Sequence, residues 1–283
     1  MKKRVVGYIY CEKDLGPDEK AFLKEAKKRD LGIVFFNISK DFNEEDIEEK
    51  AKMCDIIFNN SAEEFSIEFV KTLEELGKIV VDSSKTYYFI EDKWMLYLEC
   101  KKNKISTPNT ILLSENINLA KKDLIKFNHW PVILKRIEGT CGNYVEKAEN
   151  KQDAEKIIKK FWKMGSERIP IIAQEFIPSF SYRVTVIGGE IVQTAIKENH
   201  GWKCTGVYEK KFKKFEVDKE LLKIVKKAIN VTKVNACGID FLKKEGKWVL
   251  LEVNSTPAFD FFQKERGFLI GKVLDLLKRK IKR

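Results

Sequence analysis

The sequence predicts a mixed α/β protein with more than one compact lobe, and three observations support this. The chain has 283 residues, of which 43% are hydrophobic and 34% are charged, as in a globular protein with a large core. Between residues 4 and 81, short apolar runs alternate with amphipathic helical patterns, which is typical of a parallel sheet. Later apolar runs are paired across glycine-containing turns, which is typical of antiparallel hairpins.

The first lobe is predicted from alternating elements, and we place it at residues 1–84. We expect strands at 4–10, 32–36, 55–58 and 79–81, and helices at 18–28, 44–52 and 67–76. The lobe contains neither Gly-x-Gly-x-x-Gly nor Gly-x-x-x-x-Gly-Lys-Ser/Thr, so it lacks the dinucleotide and P-loop fingerprints.

The rest of the chain is predicted to combine hairpins with longer helices. We expect helices at 87–101, 153–163, 219–228 and 269–280, strands at 130–135, 144–147, 169–176, 182–187 and 190–196, and an extended segment at 105–113. Gly188-Gly189 is a strong hairpin signal between two of these strands.

A further hairpin is predicted from two apolar runs at 239–242 and 248–253. We interpret Glu245-Gly246-Lys247 between them as a three-residue turn. In that register Leu242 lies opposite Leu250.

The same register brings acidic side chains together. Asp240 lies opposite Glu252, and Asn254 shares the face of Glu252 because side chains alternate along a strand. Two carboxylates at a cross-strand spacing of roughly 4.5–5.5 Å repel each other unless a cation lies between them. Oxygen ligands favour Mg²⁺ or Mn²⁺, and Mg²⁺ keeps positions for phosphate oxygens, so the hairpin predicts a nucleotide. The alternative is that these acids lie on a solvated sheet face.

Several basic residues could bind the phosphates of such a nucleotide. Lys135 ends a predicted strand, and Gly139 and Gly142 follow it, so a lysine and exposed backbone N–H groups could hold an anion together. A plain hairpin turn is the alternative there, and Lys93 on its helix could simply be solvated. Arg183 lies on an apolar strand and needs an anionic partner, either a ligand or a structural carboxylate, and Lys197 could join it.

Taken in order, these residues resemble the ATP-grasp superfamily, and within it RimK-type glutamate ligases and their LysX-like relatives. The resemblance covers about residues 85–260. It implies a central lid subdomain at 85–175 and a C-terminal antiparallel-sheet subdomain at 176–283. The matching stretches are Asp92-Lys93, Pro131–Lys135, Glu138–Gly142, Gln174-Glu175-Phe176-Ile177, Arg183, Gly238–Asp240 and Leu251–Pro257.

The resemblance also implies a role for each matching residue. Lys93 and Lys135 would contact the ATP phosphates beneath a closing loop with Gly139, Thr140 and Gly142. The segment Gln174-Glu175-Phe176-Ile177 would recognise adenine through its main chain. Asp240, Glu252 and Asn254 would hold Mg²⁺, while Arg183 and Lys197 would neutralise the transferred phosphoryl group. The implied reaction forms an amide from a carboxylate and an amine through an acyl phosphate.

Three positions depart from the family pattern. Ser181 stands where an aspartate is usual, which puts the ribose contact in doubt. Lys197 replaces an arginine and loses its planar fork. Lys203-Cys204-Thr205 stands where relatives carry Arg-x-Asn, so the usual substrate-loop pattern is missing.

Composition limits the partners and the compartment. No apolar run approaches the ~20 residues of a membrane helix, and six cysteines without a Cys-x-x-Cys pair fit a reducing cytoplasm. The net charge of +11 and Lys203, Lys210, Lys211 and Lys213 suggest an acidic acceptor, either a small molecule, a peptide or a carrier protein. A homo-oligomer is compatible with the sequence. The alternatives are a non-catalytic ATP-binding regulator and, on charge alone, an RNA-binding protein.

Overall fold

The computed structural model describes residues 3–41, 43–61, 63, 65–139, 142–163, 169–197, 201–203 and 211–281. The strands are β1 (Arg4–Tyr10), β2 (Leu31–Asn37), β3 (Ile56–Asn59), β4 (Val80–Val81), β5 (Thr110–Leu112), β6 (Val132–Arg136), β7 (Val145–Ala148), β8 (Ile171–Glu175), β9 (Ser181–Ile187), β10 (Glu190–Lys197), β11 (Phe212–Lys213), β12 (Ala236–Lys244) and β13 (Lys247–Asn254). The helices are α1 (Pro17–Lys28), α2 (Glu44–Met53), α3 (Phe65–Glu75), α4 (Ser84–Glu91), α5 (Lys93–Lys102), α6 (Ile117–Phe127), α7 (Lys151–Lys163), α8 (Lys219–Thr232) and α9 (Arg266–Ile281).

These elements build three sheets, and the predicted mixture of parallel and antiparallel sheets is confirmed. The first sheet is parallel with the order β2-β1-β3-β4. The second is antiparallel with the order β5-β8-β6-β7, and the third is antiparallel with the order β11-β10-β9-β12-β13. Each predicted domain contains one sheet, while the boundaries at residues 84 and 175 stay predictions.

Helix packing links the first sheet to the third. Helix α9, from the end of the chain, packs beside α1 on the parallel sheet, where Leu269, Val273 and Leu277 join the core around Tyr8. Helices α4, α5 and α8 share a second core with β9, β12 and β13. No helix in the described ranges is long and apolar enough to cross a membrane.

The structure corrects one predicted helix and adds another. The predicted helix at 87–101 is two helices, α4 and α5, because the Asp92 carboxylate caps α5 by accepting hydrogen bonds from the N–H groups of Trp94 and Met95. Helix α6 was not predicted. Asn116 caps its start, and Asn128 ends it in the left-handed conformation at φ 48°.

The acidic hairpin forms, but the predicted turn is wrong. Glu245 and Gly246 make a two-residue turn with φ values of 51° and 79°, which suits a type I′ hairpin. Leu242 therefore lies opposite Val249 instead of Leu250. A β-bulge restores the expected pairing further along, so that Asp240 does lie opposite Glu252.

Candidate active site

A cleft of about 150 Å³ opens between the second and third sheets, and it gathers most of the predicted nucleotide-binding residues. Its lining includes Lys93, Lys135, Gly139, Gly142, Gln174, Glu175, Phe176, Ile177, Glu252 and Asn254. Thr140 lies outside the described residues. Apolar side chains from both sheets complete the walls, namely Ile90, Ile133, Val145, Leu242 and Leu251. A narrow cleft with apolar walls and a few polar groups suits a flat heterocycle joined to charged groups.

Lys135 is a buried cation with a neutral partner. Its Nζ donates a hydrogen bond to Oε1 of Gln174 at 2.8 Å, and Nε2 of Gln174 donates in turn to the Thr110 hydroxyl at 3.1 Å. Burial lowers the pKa of Lys135 to about 8, the charges of Glu252 and Asp240 oppose this shift, and the charge of Lys93 adds to it. A lysine whose hydrogen-bonded partner carries no charge has its charge available for an anion.

Lys93 connects the start of α5 to the loop after β6. Its backbone N–H donates to the Ile137 carbonyl at 3.0 Å, and its Nζ donates to the Gly139 carbonyl at 2.8 Å. Because both contacts fall on one short loop, Lys93 lies beside the predicted phosphate-binding glycines. We call Lys93 and Lys135 the lysine pair.

The end of β8 is held in place by the side-chain contacts of its last residue, Glu175. The Glu175 carboxylate accepts two hydrogen bonds from Lys244 Nζ at 3.0 and 2.8 Å and one from Asn109 at 3.0 Å. Partial burial opposes ionisation, but these donors outweigh it and lower the pKa of Glu175. Lys244 belongs to β12, so this ion pair joins the two sheets at the edge of the cleft.

The predicted metal ligands converge in space. Asp240 and Glu252 are cross-strand partners, and Nδ2 of Asn254 donates to Oδ2 of Asp240 at 3.2 Å and lies 3.5 Å from Oε1 of Glu252. The bulge lets the consecutive residues Leu251 and Glu252 both line the cleft. We call Asp240, Glu252 and Asn254 the acidic cluster.

Two buried cations neutralise Asp240 directly. Arg183 Nη1 and Lys197 Nζ each donate to this carboxylate at 2.9 Å, and all three residues are at most 6% exposed. Burial opposes ionisation of Asp240, but Lys197 and Arg183 outweigh it and lower its pKa to about 2. Arg183 therefore has the structural carboxylate partner that was the alternative to a ligand. Arg183, Lys197 and Asp240 do not line the cleft themselves, and they lie behind its lining residues Glu252 and Asn254 through the contacts of Asp240.

Gly238 makes this arrangement sterically possible. A Cβ atom built at Gly238 would lie 1.9 Å from Cζ and Nε of Arg183. The guanidinium group thus lies where any side chain at this position would be. The match of Gly238 to the family pattern therefore has a direct physical reason in this chain.

The donor set fits a hard divalent cation. The acidic cluster offers two carboxylates and an amide oxygen, and Mg²⁺ usually takes only one or two carboxylates together with phosphate oxygens and water. In the part of the chain that the structure describes, no group of three or more His, Cys, Asp or Glu residues is placed to hold a metal.

Some cleft residues were not predicted. Glu91, Ser179 and Trp202 line the cleft. Ser181, which the sequence marked as a departure, and Lys203, which it marked as a departure and as a basic residue for an acidic acceptor, line it too. Lys203 donates to the Val145 carbonyl at 3.0 Å and so joins the region after β10 to the second sheet. Glu91 directly precedes Asp92-Lys93, and that adjacency was the available signal for it.

Comparison with known proteins shows that this chain matches one protein family and several relatives. The RimK-like ATP-grasp domain matches residues 90–276. The probable alpha-L-glutamate ligase of Psychromonas ingrahamii is 30% identical over 233 residues, which span 78% of this chain and 74% of the relative. The alpha-aminoadipate–LysW ligase LysX of Saccharolobus solfataricus is 25% identical over 91% of this chain and 95% of that protein.

Solved structures agree with these sequence matches. The crystal structure of a RimK domain ATP-grasp protein from Sphaerobacter thermophilus superimposes with a TM-score of 0.77 at 17% identity. The superposition covers 96% of this chain and 98% of the Sphaerobacter thermophilus chain. The predicted fold and the predicted resemblance are thereby confirmed. The named relatives are ligases, which favours the ligase over the non-catalytic regulator.

Proposed function

Because the chain belongs to the RimK-like ATP-grasp family and is an ATP-dependent ligase that forms amide bonds, we propose the residue roles and the substrates of its reaction. The observation that carries the proposal is that the lysine pair lines one cleft with Glu252 and Asn254. Asp240 does not line this cleft, but it is the cross-strand partner of Glu252 and accepts a hydrogen bond from Asn254. ATP would place adenine between the apolar walls near Phe176 and Ile177. Its phosphates would then extend from the lysine pair towards Glu252 and Asn254.

Mg²⁺ is the metal that we propose for the acidic cluster, held by Asp240, Glu252 and Asn254. When bound, it would neutralise phosphate charge and fix the γ-phosphoryl group for transfer. Lys135 would hold the phosphates from the opposite side. Its lowered pKa fits this role, because a phosphate supplies the negative charge that its glutamine partner lacks.

The reaction would proceed in two displacements. A carboxylate oxygen of the acceptor attacks the γ-phosphorus, the bond to ADP breaks, and an acyl phosphate forms. The nitrogen of an amine then attacks the acyl carbon, phosphate leaves, and the nitrogen loses a proton. Arg183 and Lys197 would stabilise the negative charge of both steps from their places around Asp240.

We propose that the amine is glutamate or another amino acid and that the acceptor is anionic. The relative from Psychromonas ingrahamii is named for glutamate, and LysX is named for ligation of alpha-aminoadipate to LysW. The net charge of +11 supports an acidic small molecule, peptide or carrier protein. Lys203 adds local support, since it is a basic residue that lines the cleft.

The test is a screen for phosphate release with amino acids against acidic acceptors. We expect release that requires both an amino acid and an acceptor, and mass spectrometry should show the amide product. Glu252→Ala should abolish turnover and retain the fold, whereas Glu220→Ala, at an exposed position on α8, should behave as wild type. Unfolding of the Glu252 variant would assign that residue a structural role instead.

A further inference from the structure

Glu91 is a carboxylate in the cleft that the proposed reaction does not use. It is the last residue of α4, and its Oε1 accepts a hydrogen bond from the Ser255 hydroxyl at 2.7 Å and from the Ser255 backbone N–H at 3.3 Å. Ser255 is 5% exposed. A buried serine held at both its hydroxyl and its backbone has little freedom to move.

Ser255 directly follows Asn254, the last residue of β13 and a member of the acidic cluster. No turn or linker separates the two residues, so fixing the backbone N–H of Ser255 also fixes the peptide unit that begins at Asn254. Glu91 therefore limits the directions in which the Asn254 side chain can point. It also lies close enough to Glu252 for the two carboxylates to repel each other.

The junction that carries Glu91 also carries Lys93. Only Asp92 lies between them, and its carboxylate caps α5 with two hydrogen bonds of 2.9 Å. Lys93 contacts Ile137 and Gly139 in the loop after β6. The junction between α4 and α5 thus contacts the residue after β13 on one side and the loop after β6 on the other.

The charges around Glu91 support the same arrangement. Burial raises the pKa of the Glu91 carboxyl, the hydrogen bonds from Ser255 and the charge of Lys93 oppose that rise, and Glu252 adds to it. The carboxylate is thus influenced both by a cation of the lysine pair and by an acid of the acidic cluster. Removing its contact with Ser255 should disturb how these two groups are placed relative to each other.

We propose that Glu91 is a positioning residue, which holds Asn254 and Glu252, through Ser255, in the geometry that a magnesium–nucleotide complex requires. This inference rests on the proposed function, because it assumes that the acidic cluster receives the metal. Glu91 itself would touch neither the metal nor the reacting atoms. Outer partners of metal ligands commonly change metal affinity by about 10- to 100-fold.

The experiment measures binding without turnover. A non-hydrolysable ATP analogue, the β,γ-imido triphosphate, is titrated calorimetrically into the full chain over a series of Mg²⁺ concentrations. The variants are Glu91→Ala, Ser255→Ala, the double variant and Ser255→Thr. We expect each alanine variant to need about tenfold more Mg²⁺ for half-maximal binding, while binding of the analogue without Mg²⁺ stays unchanged.

The double variant separates a positioning role from general loosening. If one contact carries the effect, the double variant should resemble each single variant, and Ser255→Thr should retain wild-type behaviour. Additive losses, or unchanged Mg²⁺ dependence in the single variants, would overturn the inference. If Glu91→Ala does not fold, the two Ser255 variants provide the test. Ser255→Ala should then need about tenfold more Mg²⁺, and Ser255→Thr should behave as wild type. A wild-type chain that binds no magnesium–nucleotide would instead overturn the proposed function.

Discussion

The lysine pair and the acidic cluster lie at one cleft, with Lys135 and Asp240 as their buried members, yet these two charges are neutralised in opposite ways. Lys135 and Lys93 donate to a side-chain amide and to backbone carbonyls, so these contacts leave their charge uncompensated. Asp240 instead has two cations at 2.9 Å. The comparison teaches that the lysine pair is left open to an external anion, whereas Asp240, within the acidic cluster, is already balanced by cations of the fold.

The largest expected effect is on stability and comes from the acidic cluster. Asp240→Asn leaves Arg183 and Lys197 buried beside a neutral amide, so the free energy of unfolding should fall by about 3–5 kcal/mol. Denaturant titration followed by circular dichroism measures it. The exposed Asp260 provides a matched control, since Asp260→Asn should change stability by less than about 0.5 kcal/mol. Equal losses of unfolding free energy in Asp240→Asn and Asp260→Asn would contradict the claim that Asp240 neutralises two buried cations.

The lysine pair should show the reverse pattern, with loss of binding and little loss of stability. Lys135→Met removes a buried cation without leaving an opposite charge unpaired, so unfolding should change by about 1 kcal/mol or less. Affinity for ATP should fall by about 10- to 100-fold, the loss of one charged hydrogen bond. Fluorescence titration with an ATP analogue checks this. Lys151→Met, at an exposed position on α7, is the control and should bind normally.

The depressed pKa of Lys135 predicts proton uptake when ATP binds. At pH 8.5 the amine, with a pKa of about 8, is largely neutral in the free protein, and a bound phosphate should raise the pKa and recruit a proton. Calorimetry in two buffers of different ionisation enthalpy should reveal this uptake, and Lys135→Met should abolish it. Stability of the free protein should rise from about pH 8 to 10.5, because the unfolded lysine binds more protons there.

The smallest expected effect concerns the edge of the cleft. Lys244 is 43% exposed while its partner Glu175 is 8% exposed, so the ion pair is partly screened by solvent. Lys244→Met should raise the KM for ATP by about 2- to 5-fold and leave kcat unchanged. Steady-state kinetics provide the measurement. A loss in kcat alone would show that the pair does not act on nucleotide binding.

The sequence allowed prediction of features that depend on local pattern. Alternation of apolar runs located the parallel sheet and the hairpins, and the order of Lys93, Lys135, Arg183, Asp240 and Glu252 led to the family resemblance on which the proposed nucleotide site rests. Asp240 and Glu252 were correctly paired even though the turn was wrong. The error in the turn was offset by a bulge, which adds one residue to β13.

Other features depend on contacts between distant residues and could not be predicted in this way. The salt bridges from Arg183 and Lys197 to one carboxylate join β9, β10 and β12. The spacing of these residues along the sequence does not show that both cations pair with Asp240. The same holds for Glu91, whose partner Ser255 lies 164 residues further along the chain. Helix α6 is different, because Asn116, Ala120 and Leu124 were visible as a cap and an apolar face but were not recognised.

The most direct test of the account is whether the acidic cluster binds a divalent ion together with ATP. Mn²⁺ can replace Mg²⁺ in such oxygen sites, and electron paramagnetic resonance distinguishes bound from free Mn²⁺. In the presence of the non-hydrolysable ATP analogue, we expect Mn²⁺ to bind the wild-type chain and to be lost in Glu252→Ala. Tight binding of the analogue with no bound Mn²⁺, or equal Mn²⁺ binding by the Glu252 variant, would contradict the account.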